Sequence, residues 1–154
     1  MKINTYRVMK NESNVSMLVK ERTVNYGEVS QITETKDVAK IMTDVFSLHK
    51  LAEEHIYVIT INQDNRIGGI FEVSHGTVAG TMTSAREVFV RAILVGATRI
   101  IMVHNHPAGS LRASSEDISI TKTIKGAGEI LGIPLLDHVI IGENGGFDSI
   151  ISLA

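Results

Sequence analysis

The chain has 154 residues, 44% hydrophobic and 21% charged, with a formal net charge of −2. That length is one domain's worth and buries roughly 70% of its unfolded surface without a covalent staple, while the near-neutral charge excludes a polybasic coat for nucleic acid or membrane. The absence of cysteine excludes disulfides, thiolate zinc fingers, a cysteine nucleophile and the Pro-Cys-x-x-Cys half of a zinc deaminase. Any metal must therefore be held by histidine, carboxylate and water. The opening MKINTYRVMKNESN lacks the apolar centre of a signal peptide, and no apolar run is long enough to span a bilayer. A soluble cytoplasmic protein with no membrane partner is expected, and a cysteine-free chain suits that reducing compartment.

In chain order, residues 1–14 read as loosely ordered and 16–26 as a first strand. Val38, Ile41, Met42, Val45 and Phe46 recur at helical spacing and predict a helix from about Lys36 to Lys50. Residues 55–62 and 67–74 read as two strands around a polar turn, with Gly68-Gly69 marking a bulge or a close approach. Ser84-Ala85-Arg86-Glu87 is a capping box that opens a helix ending near Val95 and Gly96. Arg99–His106 is the next strand. Ser114 and Asp117 begin a second capped helix to Leu131, with Ile118, Ile124 and Leu131 as its apolar face and Gly132 as its stop. Residues 134–141 and 147–153 are the last strands. Clustered strands with helices between them predict an α/β (α+β) fold around a single mixed sheet flanked by helices. The division expected is an N-terminal extension over 1–35 and a main domain over 36–154.

One stretch carries chemistry: Val103-His104-Asn105-His106-Pro107, followed by Ser114-Ser115-Glu116-Asp117. Side chains two apart on a strand share a face, so His104 and His106 can chelate one ion. Asp117, in the first turn of the next helix, can be brought back by the intervening loop. Singly, each feature is better explained as a surface histidine or a cap carboxylate. Together they form a two-histidine, one-carboxylate set. Zinc with three such ligands and water in the fourth position is a catalytic arrangement, and zinc lowers the pKa of that water towards roughly 7. The letters His-Asn-His do not signify an HNH nuclease, whose named residues are scattered along a ββα unit. The chain has no His-Glu-x-x-His helix, which excludes a zincin.

His104-x-His106-x(7)-Ser114-x-x-Asp117 resembles the JAMM (MPN+, JAB) metalloprotease motif. HNHPAG, Leu135–Gly142 (LLDHVIIG), Gly76-Thr77 and the Ser84–Glu87 block resemble the RadC family within that superfamily. The resemblance runs from about Lys36 to the C-terminus. It implies the three-layer, cytidine-deaminase-like JAMM/MPN architecture and one Zn²⁺ per chain on His104, His106 and Asp117. It implies that Ser114 stabilises the substrate oxyanion and that a glutamate near the start of the strand after the first helix acts as general base. Glu54 occupies that place; Glu53, Glu72 and Glu87 are the alternatives. The implied activity is a zinc metallohydrolase of peptide or isopeptide bonds, acting on a protein or peptide. The other reading is a non-proteolytic accessory module in DNA repair, recombination or mobile-element biology. Direct DNA binding is not expected, because the chain lacks a basic bias and the first 35 residues show no helix-hairpin-helix segment. Ala108, Leu111-Arg112-Ala113 and Ala85 depart from the family pattern without touching the motif positions. His138, inside a strand, reads as structural or as orienting a ligand imidazole; His75 reads as a turn residue.

Overall fold

The structure is a computed structural model and describes residues 1–76 and 83–154. Thr77 therefore lies outside the described residues. Seven strands form a single sheet in the order β2-β1-β4-β3-β5-β6-β7. The strands are β1 (Lys2–Lys10), β2 (Ser16–Asn25), β3 (Glu54–Ile61), β4 (Ile67–Gly76), β5 (Arg99–Asn105), β6 (Leu135–Ile141) and β7 (Phe147–Ser149). Pairings β1·β4 and β5·β6 are parallel and the rest antiparallel. The helices are α1 (Thr35–Asp44), α2 (Ala85–Leu94) and α3 (Ser115–Leu131). The fold is α/β with one mixed sheet, consistent with a JAB/MPN-like domain.

Alternation along the central strands divides the core into two. Tyr57, Ile59 and Ile61 of β3 and Ile101 and Val103 of β5 bury against Val38, Ile41 and Met42 of α1. Ile56 and Val58, with Ile100 and Met102, face the other way and bury against Val88, Phe89 and Ala92 of α2 and Ile124 of α3. The sheet is thus a wall between two apolar layers, and consecutive residues of β3 or β5 serve opposite sides.

Several elements differ from the sequence reading. Residues 1–14 are not loose: β1 pairs with β2 along its whole length and lies beside β4, with Ile3 fully buried. Asn11 closes the hairpin, its side-chain oxygen accepting from the Ser13 and Val15 amides. The predicted first helix stops at Asp44. Ser47 takes a left-handed conformation (φ 52°) that ends it, while Val45 and Phe46 still pack on the core from the connecting segment. Both alternatives at Gly68-Gly69 hold. Thr60 pairs with Gly69 and Ile61 with Ile67, which leaves Gly68 as the bulged residue. A Cβ at Gly69 would come within 2.9 Å of the Tyr6 ring. Residues 147–153 hold a strand of three residues followed by a 3-10 turn over Ile151–Leu153.

The largest difference lies in α3. Its buried residues are Asp117, Thr121, Ile124 and Gly128, whereas Leu131 is exposed and Ile118 half-buried. Two of the four inward positions are polar, so the apolar periodicity understates the inward face. Gly128 is required there because a Cβ would lie 2.6 Å from the Ile133 carbonyl oxygen. Among the described residues, no helix is long and apolar enough to cross a membrane.

Candidate metal centre

His104 lies at the end of β5, on the α2/α3 side of the sheet, and is 1% exposed. His106 follows two residues later on the same side. Asp117 comes from the first turn of α3, where a capping box fixes it. The Ser114 hydroxyl accepts from the Asp117 amide (3.0 Å), while the Asp117 carboxylate accepts from the Ser114 amide (2.7 Å) and hydroxyl (2.7 Å). The cap and the site are one structure, and Ser114 holds the carboxylate in place.

The three side chains converge. His104 Nε2 is 2.9 Å from His106 Nε2 and 3.2 Å from Asp117 Oδ1, and His106 Nε2 is 3.4 Å from Asp117 Oδ2. Donors bound tetrahedrally to one zinc at 2.0–2.1 Å stand roughly 3.3 Å apart. The trio therefore has the spacing of a zinc set before any side chain moves.

Hydrogen bonds behind the imidazoles decide which nitrogens carry protons. The Thr121 hydroxyl donates its one proton to the Asp117 carbonyl oxygen (2.5 Å), so towards His138 Nδ1, at 2.6 Å, it can only accept. His138 Nδ1 is accordingly protonated. Burial pushes the His138 pKa down to about 3, so the ring is neutral and its Nε2 is a bare acceptor. His104 Nδ1, 2.8 Å from that atom, donates to it, which leaves a lone pair on His104 Nε2. His106 Nδ1 likewise donates to the Ser110 carbonyl oxygen at 2.8 Å, freeing its Nε2. Each imidazole aims an unprotonated nitrogen at the same point, the tautomer a metal ligand needs.

With no metal bound, the same two nitrogens take protons instead and donate them to Asp117. Burial works against the Asp117 carboxylate, but hydrogen bonding to His104 and His106 outweighs it and holds the carboxyl far below the usual carboxylate range. The His106 pKa is raised, first by hydrogen bonding to Asp117 and against the opposing effect of burial. Two lone pairs and a carboxylate facing one point attract a cation: a proton when no metal is bound, a metal ion otherwise.

Glu54 is the first residue of β3 and is 8% exposed, while Glu53 is exposed. Ile56 pairs with His104. Two residues further in that antiparallel register, Glu54 lies across from His106 on the same face, and its charge contributes to the raised His106 pKa. Asn105, between the two histidines, splints this segment. Its side chain accepts from the His55 amide (2.8 Å) and donates to the Glu53 carbonyl oxygen (3.0 Å). Of the other glutamates, Glu72 engages His55 and His75, and Glu87 engages Arg86 and Arg91. Ser84 caps α2 through the Glu87 amide (3.3 Å).

Sequence reasoning missed Asn105, Thr121 and Ser110. Thr121 left one trace: it is four residues after Asp117, so both share a helix face. His138 was singled out as structural or orienting, and its contacts with His104 and Thr121 give that role a geometry.

Comparison with known proteins agrees with the architecture. The RadC-like JAB domain family matches residues 32–154. An UPF0758 protein of Caldanaerobacter subterraneus subsp. tengcongensis is 41% identical over 120 residues, covering 78% of this chain and 51% of the relative. UPF0758 proteins of Flavobacterium johnsoniae (39% over 124 residues, 80% and 53%) and Staphylococcus epidermidis (43% over 114 residues, 74% and 50%) are similar. The chain thus spans about half the length of the curated relatives it matches. A match over most of the chain, on a fold that brings the motif residues together, makes this protein a member of the RadC-like JAB domain family.

Proposed function

We propose that the chain is a cytoplasmic zinc-dependent metallohydrolase that cleaves peptide or isopeptide bonds in a protein or peptide substrate. The observation that carries this reading is the convergence of His104 Nε2, His106 Nε2 and Asp117 on one point, with both imidazoles held in the ligating tautomer. These three residues would hold the ion, which supplies the Lewis acidity that lets water attack a carbonyl at neutral pH.

The remaining work falls to this chain's own side chains. Glu54 takes a proton from the attacking water as the oxygen–carbon bond forms, and delivers it to the leaving nitrogen as the carbon–nitrogen bond breaks. The Ser114 hydroxyl turns from Asp117 to donate to the substrate carbonyl oxygen as it gains negative charge. The Ser114 amide stays on Asp117 Oδ2, so the carboxylate keeps its place during that turn. Asn105 fixes the backbone on both sides of Glu54, which keeps the base from drifting.

The test is Glu54→Gln in zinc-loaded full chain, assayed on a library of peptides and isopeptide-linked conjugates. Hydrolysis is expected to fall by about 10²–10⁴-fold with zinc retained at His104, His106 and Asp117. Wild-type rates in the variant would remove Glu54 from the mechanism. A folded wild type that takes no zinc at this trio would end the hydrolase reading.

A further inference from the structure

A second trio of two histidines and a carboxylate, here a glutamate, lies on the other face of the sheet. His55 Nδ1 is 2.8 Å from Glu72 Oε1, and His75 Nδ1 is 3.1 Å from the same oxygen. The two rings stack at 5.4 Å with 20° between their planes, so both Nδ1 atoms reach one carboxylate from the same side. One ligand atom from each of the three residues lies within 4.8 Å of the others. His55 is mostly buried, against Tyr57 among others; Glu72 and His75 are open to solvent.

Strand geometry alone would not build this cluster. Glu72 and His75 are three apart on β4, and regular alternation puts such a pair on opposite faces. Here His55 pairs with His75 and Tyr57 with Glu72, so two steps on β3 match three on β4. The extra residue on β4 is a bulge, and it turns Glu72 onto the face that already carries His55 and His75. Bulges re-aim side chains in this way beside functional sites.

We propose that His55, Glu72 and His75 form a second divalent-metal site, separate from the His104/His106/Asp117 trio. The two Nδ1 atoms and a Glu72 oxygen are its ligands, and solvent fills the remaining position. Two imidazoles and one carboxylate select a borderline cation of the zinc class over calcium or magnesium, which take oxygen ligands. The two histidine–carboxylate spacings, 2.8 and 3.1 Å, need to open by only a few tenths of an ångström to reach the roughly 3.3 Å of a tetrahedral zinc set, and the two imidazole nitrogens already lie within 4.8 Å of each other. An ion there would clamp the start of β3 to the end of β4, one residue from Glu54 and on the opposite side of the sheet.

The experiment is calorimetric titration of the metal-stripped full chain with Zn²⁺ alone. It compares wild type, Asp117→Asn, His75→Ala, Glu72→Gln and the Asp117→Asn/His75→Ala double variant, each checked for folding by two-dimensional NMR. The expected stoichiometries are two ions for wild type, one for each single variant and none for the double. In Asp117→Asn, zinc should also shift the ring resonances of His55 and His75. Two ions in both His75→Ala and Glu72→Gln would overturn the site, as would an Asp117→Asn chain that takes none. Failure of the first trio looks different: Asp117→Asn would match wild type, while His75→Ala and Glu72→Gln would bind no zinc.

Discussion

Both trios offer two imidazole nitrogens and a carboxylate at the same end of the sheet, through Nε2 in one and Nδ1 in the other, yet they are supported differently. Behind His104 stand His138 and Thr121; behind His106, the Ser110 carbonyl; behind Asp117, the Ser114 amide and hydroxyl. Every side chain of that trio has its orientation fixed, and both its histidines have their Nδ1 protons fixed, before any ion arrives. In the other trio His55 and His75 are set against each other and Glu72, and the position of Glu72 rests on one bulged residue. A buried, braced site binds tightly and keeps its geometry through a reaction. An open one exchanges its ion readily and suits a brace or a sensor. Outer contacts of ligating histidines are worth 10–100-fold in metal affinity, and that factor is the expected distance between the two sites.

The strongest way to break this contrast is to remove the support without touching a ligand. Thr121→Val keeps the shape of the side chain and deletes the hydroxyl. His138 then has no acceptor at Nδ1 and is free to carry its proton on Nε2. That proton would point at His104 Nδ1 and force the His104 proton onto the ligating nitrogen. Zinc affinity at the first trio is expected to fall by about 10–100-fold, with Thr121→Ser restoring it and the second trio unchanged. Nitrogen-15 spectra of the His104 ring report the tautomer directly. A Thr121→Val chain with wild-type affinity and an unmoved His104 tautomer would dissolve the contrast.

A second, smaller effect sharpens it. His138 is neutral in the fold with its pKa near 3, against about 6.5 in the unfolded chain. Between those values the unfolded state binds the extra proton, so stability falls as pH falls, by up to ~1.4 kcal/mol per pH unit. The raised His106 pKa works in the opposite direction: its contribution is complete below about pH 6.5 and is lost as pH rises through the folded value. Asp117 loses its contribution only below the ordinary carboxylate range. Urea midpoints of metal-free protein from pH 4.5 to 7.5 should therefore rise less steeply in His138→Gln than in wild type. Equal slopes would mean that His138 carries a proton in the fold and cannot accept from His104.

How much of this was legible in the sequence follows from which periodicities survive in it. His104 and His106 are two apart on a strand, and Asp117 sits three residues after a serine cap. Both spacings mean the same thing in any fold, so the first trio could be read directly. Glu54 is favoured over Glu53 through a family resemblance, and only the structure shows that Glu54 is the buried one of the two. The second trio was illegible for a physical reason: alternation assigns Glu72 and His75 to opposite faces, and no residue type announces the bulge at Val73. In α3 two polar residues obscured the pattern, since Asp117 and Thr121 occupy buried positions that an apolar stripe would fill. At the N-terminus, β1 is ordered by pairing with β2 and β4 rather than by its own polar composition.

The smallest expected effect decides what the second trio is for. The His75 side chain is 63% exposed, and exposed pairs of this kind contribute about 0–1 kcal/mol. His75→Ala should therefore change the stability of metal-free protein by no more than ~0.5 kcal/mol, while it removes whatever zinc adds at that site. Stabilisation by a bound ion grows as the logarithm of its free concentration over the dissociation constant. Zinc titrated against the urea midpoint in an Asp117→Asn background thus isolates the increment that His75 supplies. A loss above ~1 kcal/mol in metal-free His75→Ala would assign the trio to holding the bulge itself, with Glu72 fixed by its histidines rather than waiting for a cation. A neutral metal-free effect combined with a lost zinc increment places the trio's value in binding, and makes the bulge the feature that creates it.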